Sequence, residues 1–121
     1  MDNKINVTDE TINLLIEFKN IKKFIPDEKN FYPGATSEEI RLRAQNIFDK
    51  MIENLIVNIK QNPTKKYILL EMRNMLKNFI NFDSEENDQV CTYCERILDI
   101  FQLESSDGLL NNWRYGFDPN K

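Results

Sequence analysis

The stretch from residue 37 to residue 61 constrains this chain more than any other. Ile40, Ala44, Ile47, Phe48, Met51, Ile52, Leu55, Ile56 and Ile59 recur there at three- and four-residue spacing, which stacks side chains on one helix face. At about 100° per residue the set covers roughly half the circumference, more than a coiled-coil seam needs. So broad an apolar face must be buried against at least two neighbours. The stretch is therefore predicted to be the central helix of a bundle, roughly 37 Å long at a rise of about 1.5 Å per residue.

The flanking sequence supplies the neighbours. Thr8, followed by Asp9 and Glu10, is a predicted N-cap with acids where the helix dipole favours them. The first helix is expected to run to Phe24 and stop at Pro26, with Leu14, Phe18, Ile21 and Ile25 as its inner stripe. Ile12, Leu15 and Ile16 fall to the side, and Lys19, Lys22 and Lys23 form a solvated, dipole-matched end. Thr36-Ser37-Glu38-Glu39 reads as a capping box, Thr36 as N-cap and Glu39 reaching back. Asp49 and Glu53 on the long helix read as solvated charges. After the Asn62-Pro63-Thr64 break, a third helix over residues 65–82 has Leu69, Met72, Leu76, Phe79 and Ile80 inside, with Ile68 and Met75 beside them. Asp83-Ser84-Glu85-Glu86 is a second capping-box sequence. It opens a fourth helix over residues 85–104, whose stripe is Val90, Tyr93, Cys94, Ile97, Leu98 and Phe101. Ser106 is a plausible N-cap for a short fifth helix, with Gly116 as its C-cap.

These elements predict an all-α fold, an up-down-up-down four-helix bundle with a short fifth C-terminal helix, forming a single domain over residues 1–121. Three glycines and four prolines in 121 residues suit long helices rather than a sandwich or barrel. A net charge of −4 argues against nucleic-acid binding, which usually shows a basic face, and suits a basic protein partner. No apolar run reaches the ~20 residues that span a bilayer, and none after Met1-Asp2 resembles a signal peptide. A cytoplasmic protein, monomer or homodimer, without a membrane partner is expected, with reduced cysteines.

The chain has no histidine, which removes Ser-His and Cys-His pairs, His bases and Glu-x-x-His metal sites. Cys91-Thr92-Tyr93-Cys94 is formally a C-x-x-C, but it lies inside a predicted helix with no second pair for zinc. Small core-packing thiols are expected. No cofactor is implied and no enzyme is expected, since neither a phosphate loop nor a paired nucleophile and base is present.

Two aromatic stretches remain. Residues 26–36 form a long link containing Phe31-Tyr32-Pro33-Gly34-Ala35. The tail holds the single Trp in Leu109-Leu110-Asn111-Asn112-Trp113-Arg114-Tyr115-Gly116-Phe117. Both can act as plugs over the core, or as recognition surfaces. Phe31, Tyr32, Trp113, Arg114, Tyr115 and Phe117 are the candidate interaction residues. Together, Tyr32-Pro33-Gly34-Ala35 opening a long helix and Ser105-Ser106-Asp107-Gly108-Leu109-Leu110-Asn111 leading into Trp113, Tyr115, Gly116 and Phe117 resemble a family of small bacterial proteins of unknown function. That resemblance spans most of the chain and implies a compact helical domain, with no catalytic residues to carry over.

The leading functional expectation is a small protein-interaction module, in one version immunity- or antitoxin-like, masking a basic partner. The alternative is a small-molecule-binding or sensing domain with a pocket beside the aromatic loop or tail. In an up-down-up-down bundle those two stretches fall at opposite poles unless the tail folds back.

Overall fold

The structure, a computed structural model, describes residues 4–115. Five α-helices form an up-down-up-down bundle with a short terminal helix: α1 (Asp9–Lys19), α2 (Glu38–Asn58), α3 (Lys65–Leu76), α4 (Ser84–Ile100) and α5 (Leu109–Arg114). Two single 3-10 turns, Glu28–Asn30 and Lys77–Phe79, interrupt the links. β pairing among the described residues is limited to the isolated bridges Lys4–Thr64 and Asp27–Tyr32. Ion pairs show the antiparallel run of α1 and α2: Asp9 meets Lys60 at 3.0 Å, and Lys19 meets Glu53 at 3.6 Å. No helix of the described residues is long and apolar enough to cross a membrane.

The expected core faces of α2 and α4 are realised. Ala44, Phe48, Met51, Ile52, Leu55 and Ile59 are buried, Ile47 and Ile56 lie at the margin, and every residue of the α4 stripe is inside. Each fully buried side chain of this size stabilises by about 1.5–3 kcal/mol relative to exposure. An aromatic group joins the layers. The Phe18 and Phe48 rings lie 5.6 Å apart edge to face, and Tyr93 sits 5.1 Å from Phe24 and 5.7 Å from Phe48.

Helix ends depart from the expected bounds in ways the side chains explain. Thr8 caps α1 as expected, in a reciprocal pair with Thr11 rather than with an acid. The N-cap of α2 is Ser37, not Thr36: its extended backbone lets Oγ accept from the Ile40 amide at 3.2 Å. The second capping box does not form. Asp83 stands at the N-cap of α4 without a side-chain bond, and Asn87 Nδ2 instead donates to the Phe82 and Asp83 carbonyls. At its other end α4 stops at Ile100, short of residue 104. Gln102 takes φ 59°, while Leu103 N donates to Leu98 O and Gln102 N to Asp99 O. That is a Schellman closure, made here without glycine. The tightened 3-10 turn after α3 swings Ile80 outward, 62% exposed instead of inward.

The largest correction concerns α1. It ends at Lys19, five residues before the expected Phe24, because Lys23 folds beneath its C-terminus. The Lys23 side chain is fully buried, not solvated. Its Nζ donates to the carbonyls of Phe18 (2.6 Å), Ile21 (3.0 Å) and Lys19 (3.3 Å), and to Asp49 Oδ1 at 2.7 Å. Carbonyls left open at a helix end are thereby satisfied by a cation, which the dipole also favours. Asp49 is consequently a partner of this lysine and not a solvated charge. Burial pulls the Lys23 ammonium below its ordinary range, while the Asp49 hydrogen bond and charge oppose that shift. With the helix cut short, the inner face becomes Thr11, Leu15 and Phe18; Leu14, Ile21 and Ile25 are left substantially exposed.

Lys23→Met is expected to destabilise the protein by about 3 kcal/mol in urea unfolding, because it strands the Asp49 carboxylate and the helix-end carbonyls. Asp49→Asn leaves the carbonyl contacts in place but takes the counter-charge from a buried ammonium, and should also lose about 3 kcal/mol. A Lys23→Met variant within about 0.5 kcal/mol of the parent would contradict the capping role.

Candidate functional site

Beyond Lys23 the chain must turn sharply. Phe24 takes φ 61° with its ring buried, its amide donating to the Tyr93 hydroxyl at 2.8 Å and its carbonyl accepting from Ala35 N at 3.1 Å. This fixes the start of the long link onto α4. Asp27 and Tyr32 then exchange backbone hydrogen bonds of 2.8 and 2.9 Å, closing a small loop around the 3-10 turn. The Asp27 carboxylate accepts from Asn30 Nδ2 and from Gln89 Nε2 of α4, at 2.8 and 3.0 Å. These bonds hold its carboxyl below the usual carboxylate range. Gly34 adopts φ +92°, and a Cβ there would meet Pro26 Cδ at 2.9 Å. The Pro-Gly signal thus reflects a close approach at the neck of the loop.

Of the loop aromatics, Tyr32 points in and Phe31 out. Tyr32 is buried and donates from its hydroxyl to Glu86 Oε2 at 2.8 Å. Burial raises the Glu86 carboxyl above its ordinary value, with Asp83 and Glu85 adding to the rise and the Tyr32 bond opposing it. The Tyr32 hydroxyl is itself pushed up, first by burial and then by Glu86. Phe31 is 94% exposed and sits at φ 57°, a left-handed conformation that a bulky side chain seldom adopts.

The tail does fold back. From the turn closing α4, Asp107 pairs with Lys65 at 2.8 Å, and α5 returns along α4 with Leu109, Leu110 and Trp113 buried. Ser106 is not the N-cap, a position held by Gly108 at φ 88°, yet its Oγ accepts from Leu110 N at 3.1 Å. Trp113 Nε1 donates to Asn87 Oδ1 at 2.9 Å, so one asparagine serves both the start of α4 and the tail. Arg114 reaches Glu95 at 2.7 Å and Asp88 at 3.7 Å. Tyr115 is 78% exposed. Phe117 and the Gly116 cap lie outside the described residues.

A cleft of about 300 Å³ lies where loop and tail converge on α4. Loop residues 29–32 form one wall, Glu85, Asp88, Gln89 and Thr92 of α4 the floor, and Arg114 the far side. Tyr32 and Arg114 therefore line one cleft and do not lie at opposite poles. The α4 contributors recur at three- and four-residue spacing. That polar stripe is the sequence signal for the cleft floor, and acids near the start of a helix are equally explained by its dipole. Beneath Arg114, burial pushes the Cys91 thiol up to about 11 and raises the Cys94 thiol well above its ordinary value. The arrangement offers hydrogen-bond acceptors, carboxylates and an exposed ring. Among the described residues no group of three or more His, Cys, Asp or Glu is placed to hold a metal ion.

A family model described as a domain of unknown function (DUF4844) matches residues 6–118. The fold is similar to the crystal structure of a DUF3571 family protein from Acinetobacter baumannii AYE. The two share 32% identity and a TM-score of 0.78 over 88% of this chain and 89% of that one. No curated protein matches.

Tyr32→Phe tests the loop anchorage. Glu86's folded pKa lies above its ordinary 4.5, so its contribution to stability is present at low pH and lost as pH rises through the folded value. Removing the Tyr32 donor raises that value further. The variant should lose about 1–3 kcal/mol at neutral pH, with the loss shrinking as pH falls toward 4.5. A loss independent of pH would contradict the Tyr32–Glu86 bond.

Proposed function

We propose, since the chain belongs to the DUF4844 family, a domain of unknown function, that it is a protein-interaction module without catalytic activity. It would grip a basic partner with the cleft formed by the aromatic loop, α4 and the tail. The observation that carries this reading is Phe31. A large apolar ring is held almost fully in solvent on a left-handed backbone, at the rim of a cleft, with Arg114 on the other side. Such strain earns no burial within the chain, and recognition of a second molecule would supply it. Exposed aromatic and arginine anchors around a polar depression match the composition of interface hot spots.

The immunity- or antitoxin-like version draws on charge. Segments 27–32 and 83–95 together carry seven acids and one lysine, a field that would steer a basic partner. The sensing alternative is supported by the cleft volume, about 300 Å³, at the lower bound of small-molecule sites. The exposed rim favours a macromolecule over a ligand enclosed on all sides. We place this activity in the cytoplasm, where an acidic chain with two free buried thiols would act unmodified.

Photo-crosslinking amino acids at positions 31 and 115, in cells that express the protein natively, provide the test. Both positions should yield an adduct of the same mass, and a probe at Ile80, exposed on α3's side, should not. Equal labelling at all three positions, or none at 31 and 115, would overturn the reading.

A further inference from the structure

Gln89 is the unusual member of the cleft. Its residue is 2% exposed, and its amide nitrogen is committed to Asp27. The carboxamide oxygen accepts no hydrogen bond from any described residue, whereas no fully enclosed side-chain nitrogen or oxygen among the described residues lacks a partner. That oxygen must therefore retain contact with solvent, and Gln89 lines the cleft. A buried amide thus aims an open acceptor into the depression. Glu85 stands four residues before it on the same helix face and Asp88 is its immediate neighbour, and both line the cleft, adding two carboxylates. Across the opening stands the exposed face of Phe31.

Cations already in place leave Glu85 without an ion pair among the described residues. Arg114 is engaged by Glu95 and, more distantly, by Asp88. Lys29 is on the solvent-facing loop wall and makes no ion pair among the described residues. An acceptor, carboxylates and an aromatic face together complement a delocalised cation, which donates in several directions and stacks on a ring.

Resting on the interaction reading above, we infer that the cleft receives an arginine side chain presented by the partner protein, its guanidinium donating to Gln89 Oε1 and Asp88 and lying over the Phe31 ring. The partner contact is then a specific side-chain lock in addition to diffuse charge attraction.

N-acetyl-arginine amide is the probe, with N-acetyl-citrulline amide as its neutral isostere and N-acetyl-lysine amide as a point-charge comparison. Binding to the full chain is read from amide shifts of Phe31, Gln89 and Thr92 and from Trp113 fluorescence. Arginine should give saturable shifts confined to the cleft, with citrulline weaker by about tenfold or more, the equivalent of one charge-assisted bond. Glu85→Gln, an exposed position that leaves the Gln89–Asp27 bond intact, should weaken arginine binding about threefold. Phe31→Leu should weaken arginine more than lysine. Equal binding of arginine and citrulline, or no cleft shifts with arginine, would overturn the inference. Crosslinked adducts at positions 31 and 115 together with a silent arginine titration would reject the lock and leave the interaction reading standing.

Discussion

The Lys23 ammonium beneath the end of α1 is the contact on which the rest of the arrangement depends. It satisfies carbonyls from three residues, Phe18, Lys19 and Ile21, and ties them to Asp49 on α2. The α2 face continues this hold: Gln45 accepts from Lys23 N and donates to Asp49, and Arg41 donates to the Lys23 carbonyl. A charge fully removed from water is stable only with such dense pairing. Its consequence is geometric. Terminating α1 at Lys19 sends the chain sideways, so that Phe24 enters the aromatic core against Tyr93 and the following loop is laid across the N-terminal half of α4.

Helix α4 then acts as a platform from both sides. Its inner stripe builds the core, while Glu86 and Gln89 anchor the loop and Asn87, Asp88 and Glu95 hold the tail. The tail arrives there because the turn at Gln102 closes α4 early and reverses the chain before α5. Two aromatic segments about seventy residues apart in sequence are brought to one cleft by local end-structures, without any change in the bundle topology.

The bundle itself was legible because apolar periodicity is a direct read of burial. The stripes of α2 and α4 and the Thr8 cap follow from spacing and residue type alone. The end of α1 was not legible, since a lysine near a helix C-terminus reads as a dipole-matched surface charge, and only three-dimensional closure makes it a buried cap. The stop of α4 at Ile100 was hidden for a related reason: the left-handed position that closes such a helix usually announces itself with glycine, and here it is Gln102. Of the candidate residues, Phe31, Arg114 and Tyr115 lie exposed or half-exposed, whereas Tyr32 and Trp113 are buried. Gln89 gave no sequence signal, because an amide on a helix edge is ordinary until a loop covers it.

The central claim is that loop and tail form one site on α4. A nitroxide attached at Asn30→Cys tests it directly, since Cys91 and Cys94 are fully buried and shielded from labelling. Paramagnetic broadening of amides is expected at residues 88–92 and 112–115 together. Broadening restricted to the loop and α4, with residues 112–115 left sharp, would place the tail at the far end of a bundle roughly 30 Å long and contradict the account.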